Sequence, residues 1–322
     1  MVTDSTNVFR ERSTHHRFRQ LLGDCQSRPA VSMGIIYPCD RPSLHGALEA
    51  AALGLIDPTL FGPADRLNEV AAELGRSLEG IAIHPSPTAA SAVMDAASAA
   101  ANGKVRALMK GDLHTAEMMH LLLSRPAHMR TGKRMSHAFA IDVPGYAHPL
   151  IISDGALSVR PSLEEKRAIC QNAIELAVAI GIHHPRVAIL AAVETVHASM
   201  PATVEAAALG KMAERGQISG AAVDGPLALD AAISPAAAEK KRLAPTVAGR
   251  ANVLIVPDLE AGNLLAKELV LLADGIAAGV VIGGAVPIAL TSRSDGAAAR
   301  VASAALAVLL ATQVAASTGP QC

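Results

Sequence analysis

The chain of 322 residues contains no Trp, and Phe and Tyr together make up only 2% of it. Its core must therefore be built from Ala, Val, Ile and Leu, which suits close packing of helix on sheet. The shortage of aromatics also argues against base-stacking platforms for single-stranded nucleic acid. An excess of one charge sign is lacking too. Lys plus Arg number 28 and Asp plus Glu 29, a net charge of -1, so neither DNA nor an anionic membrane has an electrostatic footprint to meet. Cysteine is scarce. Cys25, Cys39, Cys170 and Cys322 stand far apart with no C-x-x-C pair, so a disulfide framework or structural zinc is not expected, and a reducing cytoplasm fits. Long apolar runs are also lacking. Residues 275–290 are broken by glycines and Pro287, and residues 297–312 carry Arg300 and Ser303. Both fall short of the roughly 20 residues that a spanning helix needs. The polar start, where Arg10, Arg12, Arg17 and Arg19 mix with Asp4 and Glu11, has no secretory apolar region, and its acids count against a transit peptide.

What is present is alternation, on a length that suits two domains or one large one. Strand-type runs at 30–36, 81–84, 105–109, 187–193, 221–223, 253–256, 280–282 and 288–290 alternate with helical stretches at 43–53, 88–102, 116–124, 201–214, 260–273 and 296–312. Ser43 and Thr115 are candidate N-caps, and Ser162-Leu163-Glu164-Glu165 is a capping box opening a helix to about residue 180. Ser234-Pro235 marks a further helix start. Residues 126–134 lack periodicity and read as a loop or hinge, and 135–142 with 149–153 read as a strand pair joined by Pro144-Gly145. Strand–helix alternation predicts an α/β fold with a parallel sheet covered on both faces. Ligands then sit beyond the carboxyl ends of the strands.

That rule selects a few stretches. In Lys110-Gly111-Asp112-Leu113-His114-Thr115 a strand gives way to a helix through a Gly turn. The free N–H groups of the helix start suit an anion, with Lys110 and His114 beside them. An ordinary strand–helix turn capped by Thr115 explains the same residues. In Thr291-Ser292-Arg293-Ser294-Asp295 hydroxyls, a guanidinium and a carboxylate again lie between strand and helix. Arg suits phosphate and Ser can donate to an oxyanion, whereas Asp295 also reads as a helix N-cap. Glu194, Asp224, Asp258 and Asn263 stand as cleft contacts or as caps and turn residues. No Walker loop, Rossmann glycine motif, H-E-x-x-H or G-x-S-x-G occurs, and His120, His128 and His137 lack metal-ligand spacing, so no metal is expected.

Taken in order, Tyr37-Pro38-Cys39-Asp40, Lys110-Gly111 through His114-Thr115, Arg134-Met135-Ser136-His137, Asp224-Gly225-Pro226-Leu227, Val256-Pro257-Asp258-Leu259 with Gly262-Asn263, and Pro287 through Asp295 resemble the phosphate acetyltransferase and phosphate butyryltransferase family. The likeness runs from about residue 30 to the last helix and is closer to the short butyryltransferase-like branch. It implies two α/β domains of isocitrate/isopropylmalate dehydrogenase-like fold flanking a cleft. The domains would be 1–134 plus 283–322 and 135–282, usually in a homodimer. It implies reversible transfer of a short acyl group between CoA and inorganic phosphate in a ternary complex, with CoA a substrate and no tightly bound cofactor. An acyl-phosphate kinase is the natural metabolic neighbour. Ser292 and Arg293 match the family's catalytic Ser-Arg pair. The acetyltransferase branch has its thiol base about two helical turns later, where this chain has Ala298 and Ala299, so the base role falls to Asp295. His120 stands where relatives commonly carry Arg, and Lys133 or Arg134 would supply that charge. Lys110, Gly111, His114, Thr115, Arg134, Asp224, Asp258 and Asn263 would bind substrate. Two rivals stand beside this reading. One is a non-catalytic CoA- or acyl-phosphate-binding homologue. The other is a dehydrogenase of the same fold, which would need a spaced group of metal-binding Asp residues that the sequence does not show.

Overall fold

The computed structural model describes residues 15–146, 149–292 and 295–317. In chain order the first elements are α1 (His16–Gln26), β1 (Val31–Ile36), α2 (Arg41–Ala52), β2 (Ile56–Gly62), α3 (Ala64–Glu73), β3 (Ala82–Pro85), α4 (Ala89–Ala101), β4 (Ala107–Lys110) and α5 (Thr115–Leu122). After a 3-10 turn at Arg125–Ala127 come β5 (Ser136–Asp142), β6 (Leu150–Ser153), α6 (Leu163–Ala179), β7 (Arg186–Leu190), α7 (Pro201–Glu214) and β8 (Ala222–Leu227). The chain continues with α8 (Leu229–Ile233), α9 (Pro235–Lys240), β9 (Val253–Ile255), α10 (Leu259–Leu271), β10 (Ile276–Ile282), β11 (Ile288–Ala289) and α11 (Ala297–Ser317).

Two compact units result. One is drawn from Met1–Lys133 and Ala278–Cys322, the other from Arg134–Ala277. Strands of the first unit follow the order β3-β2-β1-β4-β11-β10. They pair in parallel except for the antiparallel β10–β11 pair. In the second unit the order is β5-β6-β9-β7-β8, with β5–β6 antiparallel and the rest parallel. The α/β class is therefore as the alternation predicts, and β5–β6 is the strand pair read from the runs that flank Pro144-Gly145.

Local chemistry explains most boundaries. Thr88 and Ser91 close a reciprocal capping box on α4, whose Ala-rich run ends at Asn102. Ser162 and Glu165 do the same for α6. Several starts differ from expectation. Asp40, not Ser43, caps α2 by accepting from the Ser43 N–H at 2.9 Å. His114, not Thr115, occupies the cap position of α5, and Thr115 is already helical. β8 does not stop at Asp224 but runs through Pro226 to Leu227. It is the last strand in its order, and a strand with one neighbour tolerates a missing N–H. Neither β2 nor α3 is announced by the sequence pattern. Pro58 breaks the apolar run of β2, yet pairing with β3 begins only at Thr59, so the missing donor is not needed there.

The first unit closes around α11. Val301, Ala302, Ala304, Ala305, Leu306, Ala307 and Val308 are all fully buried. A helix apolar on every face belongs inside a core, and no described helix is long and apolar enough to cross a membrane. Small residues let it approach its neighbours closely, above all at Gly46 of α2. An added Cβ there would lie 2.7 Å from the Cβ of Arg300. The second unit's core gathers Ile141, Ile152, Ala188, Leu254, Val256 and Ala266.

Candidate active site

Because β1, β4 and β11 pair in parallel, their carboxyl ends present three short segments side by side. These are Tyr37–Asp40, Lys110–Asp112 and Thr291–Ser292. Gly111 brings the first two together. Its N–H donates to the Ile36 carbonyl at 2.9 Å, and the Asp112 N–H donates to the Tyr37 carbonyl at 2.8 Å. A Cβ at Gly111 would meet the Ile36 oxygen at 2.3 Å. Glycine is thus required for close backbone approach rather than for the tight turn expected from sequence.

Lys110 is only 2% exposed. Its ammonium donates to the Thr291 carbonyl at 3.3 Å and to the Gly111 carbonyl at 3.4 Å, joining the ends of β4 and β11. Ser292 is exposed. Its N–H donates to Asp295 Oδ2 at 2.7 Å, and the Asp295 N–H returns a bond to the Ser292 carbonyl at 3.2 Å. The carboxylate therefore closes the Ser292 loop on itself. Arg293 and Ser294 lie outside the described residues. His114 is exposed and makes no side-chain cap bond, and Thr115 is half-buried in the first turn of α5.

One residue here reads in the sequence only as a break in an apolar run. Arg300 is 1% exposed. Its Nη1 donates to Thr291 Oγ1 at 2.9 Å and its Nη2 to the Ser292 carbonyl at 3.2 Å. Burial pushes the guanidinium pKa down, and the carboxylates of Asp40, Asp295 and Asp112 oppose that shift. Its position one helical turn after Gly296 offers no local signal. Only the packing of α11 against α2 places it under the loop.

Three of the four candidates in the second unit border one segment, 155–159, where Arg134 Nη2 donates to Ser158 Oγ at 3.5 Å and the Leu259 N–H beside Asp258 donates to the Val159 carbonyl at 3.2 Å. Arg134 pairs with Glu165 at 2.6 Å, and its carbonyl accepts from Asn172 at 2.9 Å. The capping bonds at Ser162, with the Arg134 charge, hold the Glu165 carboxyl below its usual range. Asp258 caps α10 by accepting from the Ala261 N–H at 2.9 Å, and Asn263 Nδ2 donates to the Gly155 carbonyl at 3.4 Å. Asp224 lies within β8, where its carboxylate accepts from the Gly225 N–H at 2.8 Å. Beside Gly155, Asp154 was missed by sequence reasoning. Its Oδ1 accepts from the Ala156 and Leu157 N–H groups, both at 2.9 Å. Its Oδ2 accepts from the His137 N–H at 3.3 Å. His137 is fully buried, neither ring nitrogen has a partner among the described residues, and burial pushes its pKa down to about 4 against the field of Asp154. No cluster of three or more His, Cys, Asp or Glu suited to a metal occurs among the described residues.

Compared with known proteins, residues 82–308 match the family model described as phosphate acetyl/butaryl transferase. The chain belongs to this family. Members similar to it include the phosphate acetyltransferase of Rhizobium meliloti, 50% identical over 88% of this chain and 90% of that protein. The phosphate butyryltransferase of Clostridium acetobutylicum is 35% identical over 91% and 98%. Among solved structures, a branched-chain phosphotransacylase from Enterococcus faecalis superposes with a TM-score of 0.76 at 26% identity, covering 87% of this chain and 99% of that one. A 4-hydroxythreonine-4-phosphate dehydrogenase from Klebsiella pneumoniae shares the fold alone, with a TM-score of 0.55 at 15% identity over 88% and 98%.

Proposed function

We propose that the chain is an enzyme that moves a short acyl group reversibly between CoA and inorganic phosphate with both substrates bound at once. Family membership carries the reaction class. The Thr291–Ser292 segment, fixed from beneath by Lys110 and Arg300, supports placing the chemistry at Ser292. A phosphate oxygen attacks the thioester carbonyl, the carbonyl oxygen becomes a tetrahedral oxyanion, and its collapse expels the CoA thiolate. Both substrates held together remove the need for an acyl-enzyme. Ser292 donates to the oxyanion. Arg293 clamps phosphate as a fork, and the buried charge of Lys110 adds to the attraction. In the reverse direction a carboxylate takes the thiol proton, and Asp295 is that base.

The remaining assignments belong to the same reading. His114 and Thr115 at the start of α5, with Gly111, and Arg134, Asp224, Asp258 and Asn263 of the second unit contribute to binding. The fold is isocitrate/isopropylmalate dehydrogenase-like, a reading that the shared fold with a dehydrogenase supports. A homodimer is supported by the exposed Leu264, Leu271 and Leu272 along and just after α10. A cytoplasmic site, no resident cofactor and an acyl-phosphate kinase as neighbour complete the proposal.

The test is CoA release from acetyl-, propionyl- and butyryl-CoA with and without phosphate. Release that depends on phosphate is expected, and its absence with all three ends the transferase reading. Ser292→Ala and Arg293→Ala should each lower kcat by about 100-fold or more while the fold survives, the scale on which one oxyanion donor acts. Near-normal turnover in both would remove this loop from the mechanism.

A further inference from the structure

We infer that Arg300 is a positioning residue that sets the geometry of the Ser292 loop, and that Gly46 provides the space for it. The inference rests on the acyl-transfer reading above. Arg300 is buried beneath the loop, only 1% exposed. It acts through Thr291 and Ser292, which receive its two terminal nitrogens at 2.9 and 3.2 Å. Both acceptors lie on consecutive residues, so one planar fork fixes the hydroxyl of the first and the carbonyl of the second together.

Burying a cation is costly unless its partners are well placed. Here the cost is not met by hydrogen bonds alone, because Nε is buried without a partner among the described residues. Asp40, Asp112 and Asp295 supply the opposing charge. Those three arise from the ends of β1 and β4 and from the Ser292 loop itself, so the guanidinium sits where all three segments converge. The stem needs a path to that point. It runs over Gly46, where a Cβ would stand 2.7 Å from the Arg300 Cβ and 2.8 Å from its Cδ. Gly46 sits in mid-helix, where glycine costs about 1 kcal/mol relative to Ala, so the gap it leaves is the feature that needs a reason.

Two roles can be separated. If Arg300 only neutralises the three carboxylates, Lys at 300 does the same. If it positions the loop, Lys fails, because a single ammonium cannot reproduce a planar fork aimed at two acceptors. A displacement of about 1 Å at a reacting group costs on the order of 100-fold in rate.

The experiment compares the parent with Arg300→Lys and Gly46→Ala in steady-state acyl transfer and in hydrogen exchange of peptides covering residues 288–296. Arg300→Lys should lower kcat by about 100-fold while KM for acyl-CoA and for phosphate stays within about threefold. Exchange at the Ser292 loop should rise, because the Ser292 N–H loses its fixed approach to Asp295. Gly46→Ala keeps both bonding partners, suits the helix, and should shift kcat and exchange in the same direction through the crowded stem. It decides the matter if Arg300→Lys fails to fold. A kcat within twofold of the parent in the folded variants overturns the inference. A loss of kcat with unchanged exchange also overturns it, since the effect would then be direct. A parent inactive towards every acyl-CoA sinks the acyl-transfer reading instead, and the exchange rates alone then judge whether Arg300 fixes the loop.

Discussion

The side chain with two jobs in prospect is Asp295. Its carboxylate accepts from the Ser292 N–H at 2.7 Å, and the proposed chemistry also asks it for a proton transfer. Asn separates the two, because its amide oxygen still accepts from that N–H while its nitrogen cannot act as a base. In the direction that consumes acyl phosphate and CoA, Asp295→Asn should lose the acid limb of the kcat/KM profile and about 100-fold or more in rate. A preserved limb with little loss would leave Asp295 as a loop acceptor only. At this scale the candidate site was half legible. Ser292, Asp295, Lys110 and Gly111 announce themselves as polar residues and Gly at strand ends. Arg300 and Asp154 do not, because each takes its meaning from a partner far off in sequence. Arg300 lies against Gly46, and Asp154 accepts from the backbone of His137.

Among the elements, helices with strong ends were the easiest to read. α4 lies between Thr88 and Asn102-Gly103, and α7 opens on Pro201. Where a cap competed with its neighbours the reading slipped by a residue or more, as at Asp40 and His114. β2 was hidden by Pro58, whose place outside the β3 pairing is a tertiary fact. Asp258 tests whether a capping residue also binds. Asp258→Ala should cost about 1 kcal/mol of stability through loss of the α10 cap. Urea unfolding measures that cost, and KM for acyl-CoA measures any binding. An unchanged KM would confine Asp258 to its helix.

For the whole molecule, the buried ring of His137 makes stability depend on pH. Its folded pKa of about 4 lies below the ordinary 6.5, so the unfolded chain binds more protons between those values. Stability from this group is present above about pH 6.5 and is lost as pH falls towards 4. His137→Phe, which cannot be protonated, should show a shallower loss between pH 7 and 5 in urea midpoints. Equal losses in parent and variant would mean that other groups govern the acid limb.

The first unit is made from two stretches of chain. Lys110 reaches Thr291 across 181 positions, and the central helix α11 belongs to the second stretch. On a ribosome the order of folding therefore cannot follow the order of synthesis. The uninterrupted second unit is complete while the first still waits for its innermost helix, with the face of β1 and β4 that α11 covers still bare. Domains commonly fold as units from the amino end during synthesis. Here the earliest part of the chain is the last to be finished, which leaves its apolar strands as the stage of biogenesis at which chaperones have the most to do.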